Sequence, residues 1–110
     1  MPLSNNNLHE FGAFKSDATE KLLHSEDNRV SLTPKVFEML LVFLNSDGKL
    51  ITKNDLMNQV WADSFVEDSN LTYSIRQLRK ILGDDFNEPK FIETVPRRGY
   101  RFVGKIENEH

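Results

Sequence analysis

The chain of 110 residues contains no cysteine, which excludes a disulfide framework, a thiolate nucleophile and a cysteine-ligated zinc site. This absence is typical of a reducing compartment, so we expect the cytoplasm. Long apolar runs are also missing, since the run Met39 to Leu44 is far shorter than the roughly 20 residues needed to span a bilayer. Residues 1–7 lack the basic and apolar regions of a signal peptide. We therefore expect no membrane contact by this segment, whether or not a longer parent protein is membrane-anchored.

Motifs for catalysis or for a cofactor are absent as well. The three histidines, His9, His24 and His110, have no metal-ligand spacing, and the chain has no glycine-rich phosphate loop or nucleophile elbow. Asp84 and Asp85 are adjacent carboxylates, but they lie in a turn-rich segment where solvated charge is the ordinary explanation. We expect neither an enzyme nor a bound cofactor or metal.

The chain has no overall positive charge, which a protein that binds phosphates would need, but its charges are segregated. The net charge is −3, yet residues 1–68 hold 6 Lys and Arg against 11 Asp and Glu, whereas residues 69–105 hold 8 against 4, net +4. A one-sided field of this kind steers a polyanion to one face of a protein. The alternative is two ordinary solvated surfaces.

The length fits one domain, which we place at residues 8–105, after a disordered arm at 1–7 and before a tail at 106–110. Short alternating runs broken by turn residues predict an antiparallel meander in its first part. The four strands are expected near Leu8–Phe11, Phe14–Lys15, Lys21–His24 and Arg29–Ser31.

Two helix starts are marked by capping residues. Thr33 followed by Pro34 predicts a first helix to about Asn45, because threonine caps free amides and proline is tolerated at the first helical position. Thr52 and Asp55 form an approximate capping box for a short second helix. The loop that follows, residues 62–67, is too long for a tight turn, and we expect Phe65 and Val66 to anchor it.

The segment 68–82 predicts a third, amphipathic helix. Its apolar residues Leu71, Ile75, Leu78 and Leu82 fall within a stripe about 60° wide on a helical wheel and should face the core. Thr72 and Arg79 lie on one flank of the wheel. Together with them, the polar and cationic side chains outside the stripe are Ser69, Asn70, Tyr73, Arg76, Gln77 and Lys80. Taken alone, this polar face is equally well explained as solvated surface.

Residues 92–103 predict a β-hairpin with two arginines at its tip. The sequence Pro96-Arg-Arg-Gly99 separates two alternating runs, and positive φ is expected at Gly99. Adjacent arginines repel each other and are not needed for a turn, whereas a narrow minor groove offers them a strong negative potential. A cationic helix beside such a hairpin is typical of a winged helix that binds duplex DNA.

Four segments resemble the OmpR/PhoB-type winged-helix DNA-binding domain in order and spacing: Leu32-Thr-Pro-Lys, Val66-Glu-Asp-Ser-Asn-Leu, Ile75-Arg-Gln-Leu-Arg-Lys and Val95-Pro-Arg-Arg-Gly-Tyr-Arg-Phe. The resemblance covers residues 8–105, and the last segment is most similar to the CadC/ToxR-like branch. It implies an α+β fold, a winged helix-turn-helix with an N-terminal four-stranded antiparallel sheet, three helices and a C-terminal hairpin wing.

The resemblance implies sequence-specific binding of duplex DNA by a bacterial transcriptional regulator. The recognition helix, residues 68–82, would enter the major groove and the wing, 96–101, the minor groove. Ser69 and Gln77 stand where many members have arginine, so the operator cannot be copied from relatives. The expected DNA-binding residues are Ser69, Asn70, Thr72, Tyr73, Arg76, Gln77, Arg79, Lys80, Arg97, Arg98 and Arg101.

Two further partners are implied by the family. The loop before the recognition helix contacts RNA polymerase in activators, which makes Asp63 and Ser64 the contact candidates here, and a second copy can bind a repeated half-site. The rival interpretation is a winged helix that serves as a protein–protein interaction module. Such a module has no need of Arg97 and Arg98 on the same side as Arg76 and Lys80.

Overall fold

The computed structural model describes residues 8–26, 28–62 and 64–107. The expected arm at 1–7 and the end of the expected tail, 108–110, lie outside these residues. The elements in chain order are β1 (Leu8–Phe11), β2 (Phe14–Asp17), β3 (Leu22–Ser25), β4 (Asn28–Val30), α1 (Pro34–Leu44), β5 (Ile51–Thr52), α2 (Lys53–Val60), α3 (Asp68–Leu82), β6 (Ile92–Val95), β7 (Gly99–Phe102) and β8 (Ile106–Glu107).

The predicted meander forms an antiparallel sheet, but with five strands rather than four, in the order β4-β3-β2-β1-β8. The tail expected from residue 106 is therefore wrong in its first two residues, since Phe11 pairs with Ile106 and Glu10 with Glu107. The pairing satisfies part of the backbone at the edge of β1, which a meander alone would leave open. Ile106 also packs, half-buried, against the core.

The first two helices begin at the predicted capping residues, and the third ends at a glycine. Thr33 Oγ1 accepts a hydrogen bond from Val36 N at 3.3 Å, and Thr52 Oγ1 accepts one from Asp55 N at 3.1 Å. Gly83 ends α3 in the left-handed conformation, with φ of 71°. Within the ranges that the structure describes, no helix is both long enough and apolar enough to cross a membrane.

The core joins the helices to both sheets. The apolar stripe of α3 is buried as predicted, and α1 contributes six buried residues: Val36, Phe37, Met39, Leu40, Phe43 and Leu44. A cluster of aromatic rings links the N-terminal sheet to the C-terminal strands. The centroid of the Phe11 ring lies 5.7 Å from that of Phe91 and 5.7 Å from that of Phe102, with an edge-to-face arrangement in both cases. The base of the hairpin is therefore fixed to the core.

A small second sheet, β5-β7-β6, holds the hairpin against the start of α2. We use the term wing for the whole hairpin, residues 92–102, of which residues 96–101 are the part predicted to enter the minor groove. Thr52 of β5 pairs with Gly99 of β7, and a Cβ at Gly99 would overlap the carbonyl oxygen of Ile51 and lie 2.9 Å from Thr52 Cα. Glycine is required here chiefly by this close approach of two backbones. The strand β5 was not predicted from the sequence.

His9 is a core residue. It pairs with Ser16 across β1 and β2, and both side chains are buried. Burial lowers the pKa of His9 from its ordinary value, and the Asn45 side chain partly offsets this shift. Burial therefore favours the neutral imidazole.

Candidate nucleic-acid interface

The outward face of α3 carries the polar residues predicted for it. Ser69, Asn70, Thr72, Tyr73, Arg76 and Lys80 are exposed, and Gln77 is half-buried. Tyr73 leaves 61% of its surface in solvent, which is high for a large aromatic side chain. The face therefore offers two cations, several short hydrogen-bonding groups and one aromatic ring, a combination suited to phosphates and base edges.

The tip of the wing is a tight turn at the predicted residues. Arg98 N donates to Val95 O at 3.0 Å, with Pro96 and Arg97 between them. Arg97 adopts φ of 67°, whereas Gly99 has φ of 156°. Proline followed by a left-handed residue is the pattern of a type II turn, whose left-handed position is normally glycine or asparagine. The positive φ predicted at Gly99 is confirmed, and Arg97 adds a second, left-handed residue that the sequence did not predict.

The left-handed conformation of Arg97 is a local strain. A left-handed backbone costs a residue with a Cβ about 1–2 kcal/mol, and glycine would avoid most of this cost. Such strain persists where the surrounding structure fixes it and is concentrated at functional sites. Lys21, Glu26 and Asp47 adopt similar positive φ values in other turns, so this strain is not special to the wing tip.

The charges at the interface are free of carboxylate partners, with one exception. Among residues 8–26, 28–62 and 64–107, the ion pairs are Lys35 with Glu38 and Arg101 with Glu93. The second pair is loose, at 3.9 Å between Arg101 Nη1 and Glu93 Oε1, and its two side chains are 44% and 42% exposed. Four cations on the outward face of α3 and at the wing tip are therefore in no ion pair among these residues: Arg76, Lys80, Arg97 and Arg98.

Arg79 does not face outward with the other cations but turns toward the wing, so its direct contact with DNA stays a prediction. Its Nη2 donates to Ile92 O at 3.0 Å and to Thr94 Oγ1 at 2.7 Å. The guanidinium also lies over the Phe86 ring, with 5.4 Å between Arg79 Cζ and the ring centroid. On the helical wheel Arg79 is at the flank, and the wing packs against that flank and takes up the side chain.

Two grooves connect α3 with the wing. One, of about 350 Å³, is lined by Thr72, Arg76 and Arg79 on the helix side and by Thr94 and Tyr100 on the wing side. The other, of about 460 Å³, brings Arg97 and Arg98 beside Lys53 at the start of α2 and Asp68 at the start of α3. Lys53 was missed by the sequence reasoning, since only the β5–β7 pairing places it near the wing tip.

The loop before α3 also differs from the prediction. Phe65 was expected to anchor it but is 97% exposed, while Val66 and Trp61 are half-buried. Trp61 already packs against the core at the start of the loop, and Phe65 is left in solvent. Phe65 and the exposed Ser64 line a groove of about 600 Å³ with α2. Asp63 lies outside the described residues.

The sequence of this chain is similar to those of known transcriptional regulators. A family model described as "Transcriptional regulatory protein, C terminal" matches residues 27–102, more than half of the chain. The transcriptional regulator HilA of Salmonella typhi is 39% identical over 102 residues, which is 93% of this chain. The chain spans 18% of the length of HilA.

Solved structures share the fold. The DNA-binding domain of Escherichia coli CadC superposes with a TM-score of 0.81 at 26% identity, over 94% of this chain and 97% of that domain. The Klebsiella pneumoniae RstA DNA-binding domain, solved in complex with the RstA box, gives a TM-score of 0.77 at 26% identity, over 86% and 95% of the two chains.

Proposed function

Because this chain belongs to the transcriptional regulatory protein, C-terminal family, we propose that it binds duplex DNA sequence-specifically as the DNA-binding part of a bacterial transcriptional regulator. The observation that carries the proposal is the set of cations that form no ion pair within the described part of the chain, shared by the outward face of α3 and the wing tip. The RstA domain, solved with its DNA box, supports the same conclusion. The family is one of regulators rather than of enzymes. A regulator of this kind acts in the cytoplasm, where bacterial DNA is.

The residues divide into three roles. We assign phosphate contacts to the exposed cations Arg76 and Lys80, with Lys53 added by its place beside the wing tip. Base edges in the major groove would be read by the short or planar groups of α3: Ser69, Asn70, Thr72, Tyr73 and Gln77. The wing would reach the minor groove through Arg97 and Arg98, with Arg101 toward the flanking backbone.

The salt dependence of binding tests the phosphate role. A site selected from random duplex DNA supplies the probe. If one copy neutralises about 4 to 6 phosphates, the logarithm of the binding constant should fall with the logarithm of salt concentration at a slope of roughly −4 to −5. Arg76→Ala should reduce this slope by about 0.9. Arg29→Ala, which removes an exposed arginine from the N-terminal sheet, is the matched control and should leave the slope unchanged.

A slope near zero would remove the phosphate contacts, whereas failure to select any duplex site would refute DNA binding and favour the protein-interaction module. Equal slopes for the parent and Arg76→Ala would remove Arg76 from the phosphate contacts while leaving the rest of the proposal standing.

We also propose that the loop before α3 contacts RNA polymerase. Support comes from Phe65, an almost fully exposed aromatic side chain beside a groove, since aromatic residues dominate the energetics of protein interfaces. Phe65→Ala should lower activated transcription in vitro by roughly tenfold with unchanged affinity for DNA. Normal activation by Phe65→Ala would contradict this contact. A second copy on a repeated half-site is compatible with the proposal and is tested by the stoichiometry on selected sites.

A further inference from the structure

The side chain of Arg79 connects the recognition helix to the wing. It starts on α3, and its Nη2 donates to two acceptors on β6: Ile92 O at 3.0 Å and Thr94 Oγ1 at 2.7 Å. Its Nε is buried without a partner among the residues that the structure describes. A guanidinium is planar and presents its donors in a rigid fork, so these bonds fix direction as well as distance. One side chain therefore fastens α3 to the first strand of the wing.

Phe86 packs against the same guanidinium. Its ring centroid lies 5.4 Å from Arg79 Cζ, within the range of a cation–π contact. The ring remains 63% exposed, so Phe86 fills no part of the core. It lines the groove between α3 and the wing together with Arg79 and Thr94. Phe86 is the aromatic residue of an otherwise polar connection, and its ring contacts Arg79, the residue that holds the wing.

Asp84 fixes the connection that carries Phe86. Its carboxylate accepts hydrogen bonds from Lys90 N at 2.6 Å and from Ile92 N at 2.7 Å, so the segment after α3 is tied to the first residue of β6. Burial lowers the pKa of Arg79, and the nearby Asp84 carboxylate opposes this shift. The end of α3, the connection and the wing strand are consequently joined around one guanidinium.

We propose that Arg79 and Phe86 form a clamp that fixes the wing relative to the recognition helix, so that the major-groove and minor-groove contacts form as one unit. The inference rests on the proposed DNA binding. Arg79 and Phe86 are positioning residues, because their contacts are with β6 and with each other. A wing held in place before DNA arrives loses less conformational freedom on binding.

Footprinting of two variants tests the clamp. Phe86→Ala removes the ring, and Arg79→Lys keeps the charge but loses the fork. At saturating protein, both should still protect guanine N7 in the major groove from methylation but lose hydroxyl-radical protection at the wing site. Affinity should fall roughly tenfold, within the usual range of coupling between two sites. Leu8→Ala, which removes an exposed apolar side chain from the N-terminal sheet, is the control and should keep both footprints.

A double-mutant cycle measures the coupling. Substitution of both wing-tip arginines by alanine should weaken binding much less in the Phe86→Ala background than in the parent, because an unclamped wing contributes little. In the free protein, amide hydrogen exchange in β6 should be faster for Phe86→Ala than for the parent.

Three outcomes would overturn the clamp. Phe86→Ala could bind and protect DNA like the parent, or the wing-tip substitutions could reduce affinity as much in the Phe86→Ala background as in the parent. Loss of the major-groove footprint in Arg79→Lys would instead make Arg79 a direct DNA contact. A parent domain that leaves no footprint would refute the proposed function instead. The exchange measurement still tests the clamp in that case, since it needs no DNA.

Discussion

Substitution of Arg97 and Arg98 by alanine is expected to weaken binding to duplex DNA about 10- to 100-fold, with little change in thermal stability. Two minor-groove cations lost from the interface should lower the salt slope by roughly 1.8. The loss should be larger on sites flanked by an A-tract, whose narrow groove has a stronger negative potential. Both side chains are exposed at a tip away from the core, so the free energy of unfolding should change by no more than about 0.5 kcal/mol.

Arg97→Gly separates the use of the side chain from its backbone cost. Glycine adopts φ of 67° freely, so this variant should be as stable as the parent or more stable by up to about 1 kcal/mol, although it binds DNA more weakly. Higher or equal stability together with weaker DNA affinity is the result expected for Arg97→Gly.

An affinity and salt slope like those of the parent in the double alanine variant would mean that α3 binds alone. Unfolding of that variant would show that the arginines are structural.

Asp84→Ala is expected to lower the free energy of unfolding by about 2–4 kcal/mol, because it leaves several backbone amides without their charged acceptor. The carboxylate accepts hydrogen bonds from four backbone amides, one from its neighbour Asp85 and three from the consecutive residues Lys90, Phe91 and Ile92. For a domain of this size, such a loss corresponds to a fall in melting temperature of roughly 10–20 °C. Thermal unfolding followed by circular dichroism measures it.

The neighbouring carboxylate is a matched control. Asp85 Oδ1 accepts a single local bond from Asn87 N at 3.0 Å and is exposed, so Asp85→Ala should cost well under half as much. Asp84→Asn, which keeps one acceptor oxygen, should fall between the two. Equal melting temperatures for Asp84→Ala and Asp85→Ala would mean that the amides find water without loss and that the carboxylate is merely solvated charge.

The elements with local signals were predictable from the sequence. Thr33, Thr52 and Gly83 mark helix ends through bonds to residues within one turn, and the apolar stripe of α3 needs no distant partner. The outward face of α3 follows from the same periodicity, so most of the proposed contact residues could be named before the structure was known. Their role in binding stays a prediction.

The features that the sequence did not reveal depend on distant partners or on the backbone. The strands β5 and β8 have two residues each and exist only because β7 and β1 pair with them. Arg79 could be placed on a flank of α3, but not against β6. Asp84 looked like solvated charge because the amides it binds lie up to eight residues away. Phe65 looked apolar enough for the core, and nothing in the residue types predicts that it faces solvent.

The pairing of β1 with β8 has a consequence for the order of folding. Phe11 and Ile106 are partners across almost the whole chain, whereas the meander and the helices form from contacts close in sequence. Contacts between distant segments require closure of a long loop and therefore form slowly. During synthesis, β1 has its β2 neighbour at once but acquires β8 only after the recognition helix and the wing have been made. The N-terminal sheet is thus the first part of this domain to start forming and among the last to be completed.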